Sequence, residues 1–152
     1  KGENMSHQNE LKRTLDWFKE AKPKPNQRDL SIQIGCHFEE IVEMLDALGH
    51  TEIAHRLETI ADGYKQNQQT ERLQQLTHQQ KIEVLDSLAD QVVTAIGVAY
   101  MAGFDFNAAF VEVNDSNWSK FENGKVIFDE NGKIQKGQNY FKPNLQKFVP
   151  ED

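Results

Sequence analysis

The segment HFEEIVEMLD, residues 37–46, sets Glu39, Glu40 and Glu43 among apolar residues with no lysine or arginine inside it. On a helix Glu40 and Glu43 lie about 60° apart and Glu39 and Glu43 about 40° apart, so the three carboxylates share one patch. Residues 29–55 hold six acids and no Lys or Arg, so the usual i,i+4 cations that offset like-charge repulsion are missing. The same helical sector carries Ile32, Cys36 and Ala47, which predicts that the acids face a crevice rather than open water. A second acid-only stretch runs between Lys81 and Lys120 and contains Glu83, Asp86, Asp90, Asp105, Glu112 and Asp115. Asp86 and Asp90 are one turn apart in a row continued by Val93 and Gly97, along a helix–helix seam. Carboxylates from two helices in one seam repel each other unless a cation lies between them. Hard oxygen donors without His or Cys suit Mg²⁺, or Mn²⁺, over zinc, and a magnesium that keeps waters meets phosphate oxygens.

The elements that must position these groups are read from periodicity and capping. NELKRTLDWFKEA places Leu11, Leu15, Trp17 and Phe18 at helical spacing before Pro23 and Pro25 break the chain. A second helix spans Asp29 to Leu48 through Ile34, Phe38, Ile41, Val42 and Leu45, and Gly49 stops it. A third follows from Thr51 through Ile53, Leu57, Ile60, Ala61 and Tyr64, then dissolves into glutamine-rich polar sequence. Thr77 and Gln80 form a capping box before the longest periodic run, Leu85, Leu88, Val92, Ile96 and Ala99, which Gly103 ends. Asp105 is the N-cap expected for a fifth helix over FNAAFVEVNDSNW. Beyond Phe121 two Asn-Gly pairs appear, and Asn131-Gly132 carries the turn chemistry of a hairpin. The tail QNYFKPNLQKFVPED is expected as an extended arm on the body or on a neighbouring subunit. The fold class is thus all-α, a four- to five-helix bundle with a small C-terminal β-hairpin and an extended tail. Residues 5–121 form the helical domain, and residues 122–152 are its hairpin and arm.

Composition bounds the rest. The chain has 152 residues and a net charge of −7 with scattered basic residues, which fits one domain and argues against a nucleic-acid surface. The single cysteine, Cys36, excludes an internal disulfide framework and fits a reducing compartment. No apolar run approaches the roughly 20 residues of a membrane span, and no signal-peptide core is present, so a cytoplasmic location is expected. Residues 1–4 ahead of Met5 read as an added leader. His7, His37, His50 and His78 show no ligand spacing, and no nucleophile elbow, P-loop or dinucleotide fingerprint occurs. Glu52 to His55 reads Glu-x-x-His, the half-motif of a carboxylate-bridged di-iron bundle, but that site needs two such motifs and one is found.

Glu39-Glu40-x-x-Glu43, acids on a second helix some forty residues later, and then NWSKF together resemble the MazG-like all-α nucleoside triphosphate pyrophosphohydrolases. That superfamily also holds phosphoribosyl-ATP pyrophosphatases and dimeric dUTPases. The resemblance covers residues 30–121, with the E-E-x-x-E element its most specific part. It implies that Glu40 and Glu43 ligate Mg²⁺ with Glu39 assisting, and that Asp90 is the last residue of the second element, E-x-x-D. Here the chain departs: Ser87 stands where the family has Glu, the nearest acid is Asp86, and Glu83 to Asp86 reads as a literal E-x-x-D one turn early. The resemblance further implies that Asn117 and Lys120 hold the triphosphate, with Asn114 one turn earlier and Trp118 placed to stack on a base. KGQNYFKP is similar to tails in some members, and Lys136, Tyr140 and Lys142 would reach a phosphate. The implied activity is Mg²⁺-dependent hydrolysis of nucleoside triphosphates to monophosphate and pyrophosphate, by a homodimer or homotetramer. A helical interaction protein without catalysis is the alternative from another class.

Overall fold

The computed structural model describes residues 9–151; Met5, His7 and the leader expected at residues 1–4 lie outside them. Six α-helices are present among the described residues: α1 (Glu10–Ala21), α2 (Gln27–Ala47), α3 (Thr51–Lys65), α4 (Thr70–Gln74), α5 (His78–Met101) and α6 (Phe106–Trp118), followed by a 3-10 turn at Gln146–Phe148. The all-α expectation holds. No described helix is long and apolar enough to cross a membrane.

Local chemistry sets the helix ends. Asn26 and Asp29 form a reciprocal capping box, with Asp29 N donating to Asn26 Oδ1 at 3.1 Å and Asn26 N to Asp29 Oδ2 at 2.9 Å. Asp29 therefore sits inside α2, and the helix begins two residues before the start expected at Asp29. At α5, Thr77 N donates to Gln80 Oε1 and Gln80 N to Thr77 Oγ1, as the spacing predicts. Asp105 Oδ1 accepts from Ala108 N at the start of α6. Gly49 and Gly103 have φ of +85° and +73°. In both, the two N–H groups beyond the helix turn back to its last carbonyls, His50 to Leu45 and Phe104 to Ala99, which needs a residue comfortable in the left-handed region. The glutamine-rich stretch expected to be irregular contains α4, because Leu73 is buried there and the short helix packs on α2.

The described residues divide into two compact units, one of 24–81 and 128–133, the other of 9–23, 82–127 and 134–151. In the first, α2 and α3 form an antiparallel helical pair whose buried residues are Ser31, Ile32, Gly35 and Val42 on α2 and Ala54, Ala61 and Gly63 on α3. Ser31 Oγ, fully buried, donates to the carbonyl of Tyr64 at 2.7 Å. A Cβ on Gly35 would stand 2.6 Å from the Ala61 carbonyl oxygen and 2.6 Å from Lys65 Cγ. Gly35→Ala should therefore force α2 and α3 apart and destabilise the protein by about 1–3 kcal/mol, the usual cost of overpacking; urea unfolding reads the loss, and an unchanged midpoint would refute this packing.

In the second unit α1 lies on α6. Trp17 is buried and donates Nε1–H to the carbonyl of Asn117 at 2.8 Å. The tail runs back along α6: Ser116 Oγ donates to the Phe141 carbonyl, Asn144 N to Glu112 Oε1, and Asp105 N to the Phe148 carbonyl. The expected arm thus lies on its own chain. No strand occurs among the described residues beyond isolated bridges, so the hairpin expected at Asn131-Gly132 is not formed as a sheet. The tight two-residue turn sits instead at Asn123-Gly124, where both residues have positive φ and Glu122 and Lys125 exchange both backbone hydrogen bonds. Asn131-Gly132 lies in a wider turn in which only Gly132 has positive φ, and Asp129 Oδ1 accepts from both Asn131 N and Lys133 N.

Candidate functional site

The acids of α2 answer to cations far away in the sequence. Lys65, at the end of α3, donates to Glu39 Oε1 at 3.2 Å and pairs with Asp62 at 3.0 Å. Lys133, at the end of the wide turn, donates to Glu39 Oε2 at 2.8 Å. Each oxygen of Glu39 therefore receives one ammonium. Burial pushes the Glu39 carboxyl up, but the hydrogen bonds from Lys133 and Lys65 outweigh it and hold the group below the usual carboxylate range. Lys65 is pushed down by burial and more strongly up by Asp62 and Glu39, and Lys133 is raised chiefly by its bond to Glu39. Beside them Cys36 is half-buried, and burial is the main cause that raises its thiol. A thiol so raised is a small packing residue and a poor nucleophile.

Two glycines make the cluster possible. The Lys65 stem crosses Gly35 at a distance that excludes any side chain, and Gly132 approaches Ile32 so closely that a Cβ would lie 3.2 Å from its Cδ1. The crevice expected from Ile32 and Cys36 beside the acids is thus closed by the turn at residues 129–133. Glu40 and Glu43, by contrast, are exposed on α2.

The remaining site residues predicted from sequence belong to the second unit. Asp86 and Asp90 are exposed on α5. Asn117 Oδ1 accepts from Lys120 Nζ at 2.8 Å, and the same ammonium lies 5.8 Å from the Trp17 ring centre, so the pair expected to hold phosphate is formed. Trp118 stacks on Phe121 at 5.2 Å with its Nε1 buried and without a hydrogen-bond partner. Asn114 is buried, its amide donating to Glu10 and accepting from Thr14; in this arrangement it ties α1 to α6. Lys136 lies 5.1 Å from the Tyr140 ring centre. Glu52 and His55, the half-motif for di-iron, pair instead with Arg56 and Glu58 on the exposed face of α3. Sequence reasoning missed Lys65 and Lys133; the signal that could have found them was the absence of any local cation for Glu39.

Among the described residues no three His, Cys, Asp or Glu side chains converge on a point that could hold a metal ion. That does not conflict with magnesium brought by a nucleotide, because Mg²⁺ there takes one or two carboxylates and fills its remaining positions with phosphate oxygens and water. The exposed, all-oxygen pair Glu40 and Glu43 suits that use. No family model, curated protein or solved structure matches this chain.

Proposed function

We propose that this chain is a MazG-like nucleoside triphosphate pyrophosphohydrolase acting on Mg²⁺-bound (deoxy)nucleoside triphosphates. The observation that carries the reading is the pairing, on one helix, of exposed acids at Glu40 and Glu43 with a carboxylate, Glu39, already clasped by two lysines. A site for a metal-bound triphosphate needs both kinds of group: oxygen donors for the cation and ammonium groups for phosphate oxygens the cation leaves uncovered. Glu40 and Glu43 are the groups of α2 that would hold Mg²⁺, which when bound would neutralise phosphate charge and acidify a water; Asp86 and Asp90, which the resemblance adds, lie on α5 in the other unit and are tested separately. An α2 carboxylate accepts the proton of the attacking water as the oxygen adds to the α-phosphorus, and pyrophosphate leaves with the other product a nucleoside monophosphate. Glu39 is the weakest candidate for that proton, since two ammonium groups hold it ionised. Glu43 has the exposure and an ordinary helical position to take it. By the resemblance Asn117 and Lys120 would hold phosphate, Trp118 would stack on the base, and Lys136 and Tyr140 of the tail would reach a phosphate.

The partner proposed is a second copy of the chain. Within its unit α5 packs on neither α1 nor α6, yet Leu85, Val93, Tyr100 and Met101 are 69%, 66%, 81% and 86% exposed. A helix apolar around most of its circumference belongs in a core. Its charge pattern selects the occupant: Glu83, Asp86 and Asp90 lie in the first half, and residues 91–101 carry no charge. An antiparallel second α5 sets each acidic half against a neutral one, whereas parallel pairing stacks like charges. Two-fold symmetry produces that arrangement directly.

A panel of nucleoside triphosphates assayed for pyrophosphate release tests the catalytic reading. Release of pyrophosphate with a nucleoside monophosphate, lost when Mg²⁺ is chelated, is the expected result. Absence of release from every nucleotide would leave a helical interaction protein in its place, a reading that the bare α5 also supports.

A further inference from the structure

We propose that Lys65 and Lys133 form a polyphosphate-binding pair on α2, and that Glu39 holds both ammonium groups in position until a phosphate displaces it. The proposal rests on the nucleotide reading above and names two residues of that site which the motif does not contain.

Three features separate this cluster from an ordinary surface ion pair. First, one carboxylate takes two ammonium groups, one on each oxygen. A phosphate offers the same geometry, two oxygens on one atom, with more negative charge, so the arrangement that fits Glu39 fits phosphate better. Second, the lysines have donors in reserve. An ammonium carries three N–H groups; Lys133 spends one on Glu39 and is 48% exposed, so its remaining donors reach outward. Third, both lysines are pre-positioned by the backbone. Gly35 admits the Lys65 stem against α2. The turn that delivers Lys133 is fixed by Gly132 at φ +81° and by the two backbone bonds to Asp129 Oδ1. Ordering a free lysine on a ligand costs side-chain entropy, and here that cost is met during folding. The adjacent Glu40 and Glu43 would repel a bare polyphosphate; they favour one that arrives with its cation.

Calorimetric titration with inorganic tripolyphosphate in the presence of Mg²⁺, on the full chain, tests the pair. Lys133→Met should weaken binding about tenfold or more, the loss of one charge-assisted hydrogen bond, and Lys133→Arg should retain most of the affinity. Glu39→Gln should tighten binding, because it removes the competing anion while keeping a side chain of the same shape. A purely structural clasp predicts otherwise: both variants would lower the melting temperature, Lys133→Met would leave tripolyphosphate affinity unchanged, and Glu39→Gln would leave it unchanged or weaker; either affinity result overturns the proposal. Nucleotide hydrolysis is scored separately. Tripolyphosphate binding that depends on Lys133 in a protein that hydrolyses no nucleotide would uphold the lysine pair and sink the hydrolase reading. Hydrolysis whose KM, like the tripolyphosphate affinity, is indifferent to Lys133 would sink the lysine pair alone.

Discussion

Val93→Glu is expected to convert the proposed two-fold assembly into monomers or unfolded chain. In a lone chain Val93 is 66% exposed, so a charged replacement there would change stability by no more than about 0.5 kcal/mol, as at other open surface sites. In an antiparallel α5 pair the same position lies in the seam, on the row that Asp86 and Asp90 begin, and symmetry introduces the charge twice beside acids already there. An uncompensated buried charge costs about 3–5 kcal/mol, which is roughly two orders of magnitude or more in Kd. Sedimentation equilibrium of wild type should give twice the chain mass, and its melting temperature should rise with protein concentration because association and folding are linked. The variant should lose both behaviours. A wild-type chain that sediments as a monomer with a concentration-independent melting temperature would eliminate the proposed pairing.

Glu43→Gln and Asp90→Asn are expected to reduce pyrophosphate release by roughly 10²–10⁴-fold each, the range attributed to a positioned proton-transfer group and at least matched by loss of a donor to the substrate's cation. Both side chains are exposed, and both replacements keep the side-chain shape. Folding stability should therefore stay within about 0.5 kcal/mol of wild type, or rise slightly as like-charge repulsion falls. Steady-state kinetics on the preferred nucleotide, paired with thermal unfolding, separates a lost function from a lost fold. Wild-type turnover in both variants would remove the carboxylates from the mechanism. Loss in Glu43→Gln alone would confine the chemistry to α2 and take α5 out of it.

The helices were legible in the sequence because what starts and stops them is local. Thr77 with Gln80, Asp105 ahead of α6, and Gly49 and Gly103 at helix ends act within a few residues, so spacing alone announces them. Where local rules tie, the sequence pointed the wrong way. Of two Asn-Gly dipeptides it favoured Asn131-Gly132 for the hairpin, yet only Asn123-Gly124 closes as a two-residue turn, because Asp129 draws the backbone of the other into a wider one. α4 was hidden for a related reason: its glutamines carry no period, and a single buried Leu73 against α2 decides the matter.

The site divides in the same way. The sequence by itself determined that Glu39, Glu40 and Glu43 share a helix patch and that no cation within reach along α2 offsets them. It also placed Asn117 one turn before Lys120, and those two do meet. Only the tertiary structure decided which acid is neutralised and by what. Lys65 is 26 residues from Glu39 and Lys133 is 94, separations at which no periodicity links the partners. Their meeting depends on Gly35 letting α3 approach and Gly132 letting the turn settle on Ile32. Tertiary structure likewise set Asn114, expected beside Asn117 among the substrate-binding residues, into buried bonds to α1. Electrostatic energy falls with distance through space, whereas sequence reports distance along the chain, and for these side chains the two are unrelated until the fold is known.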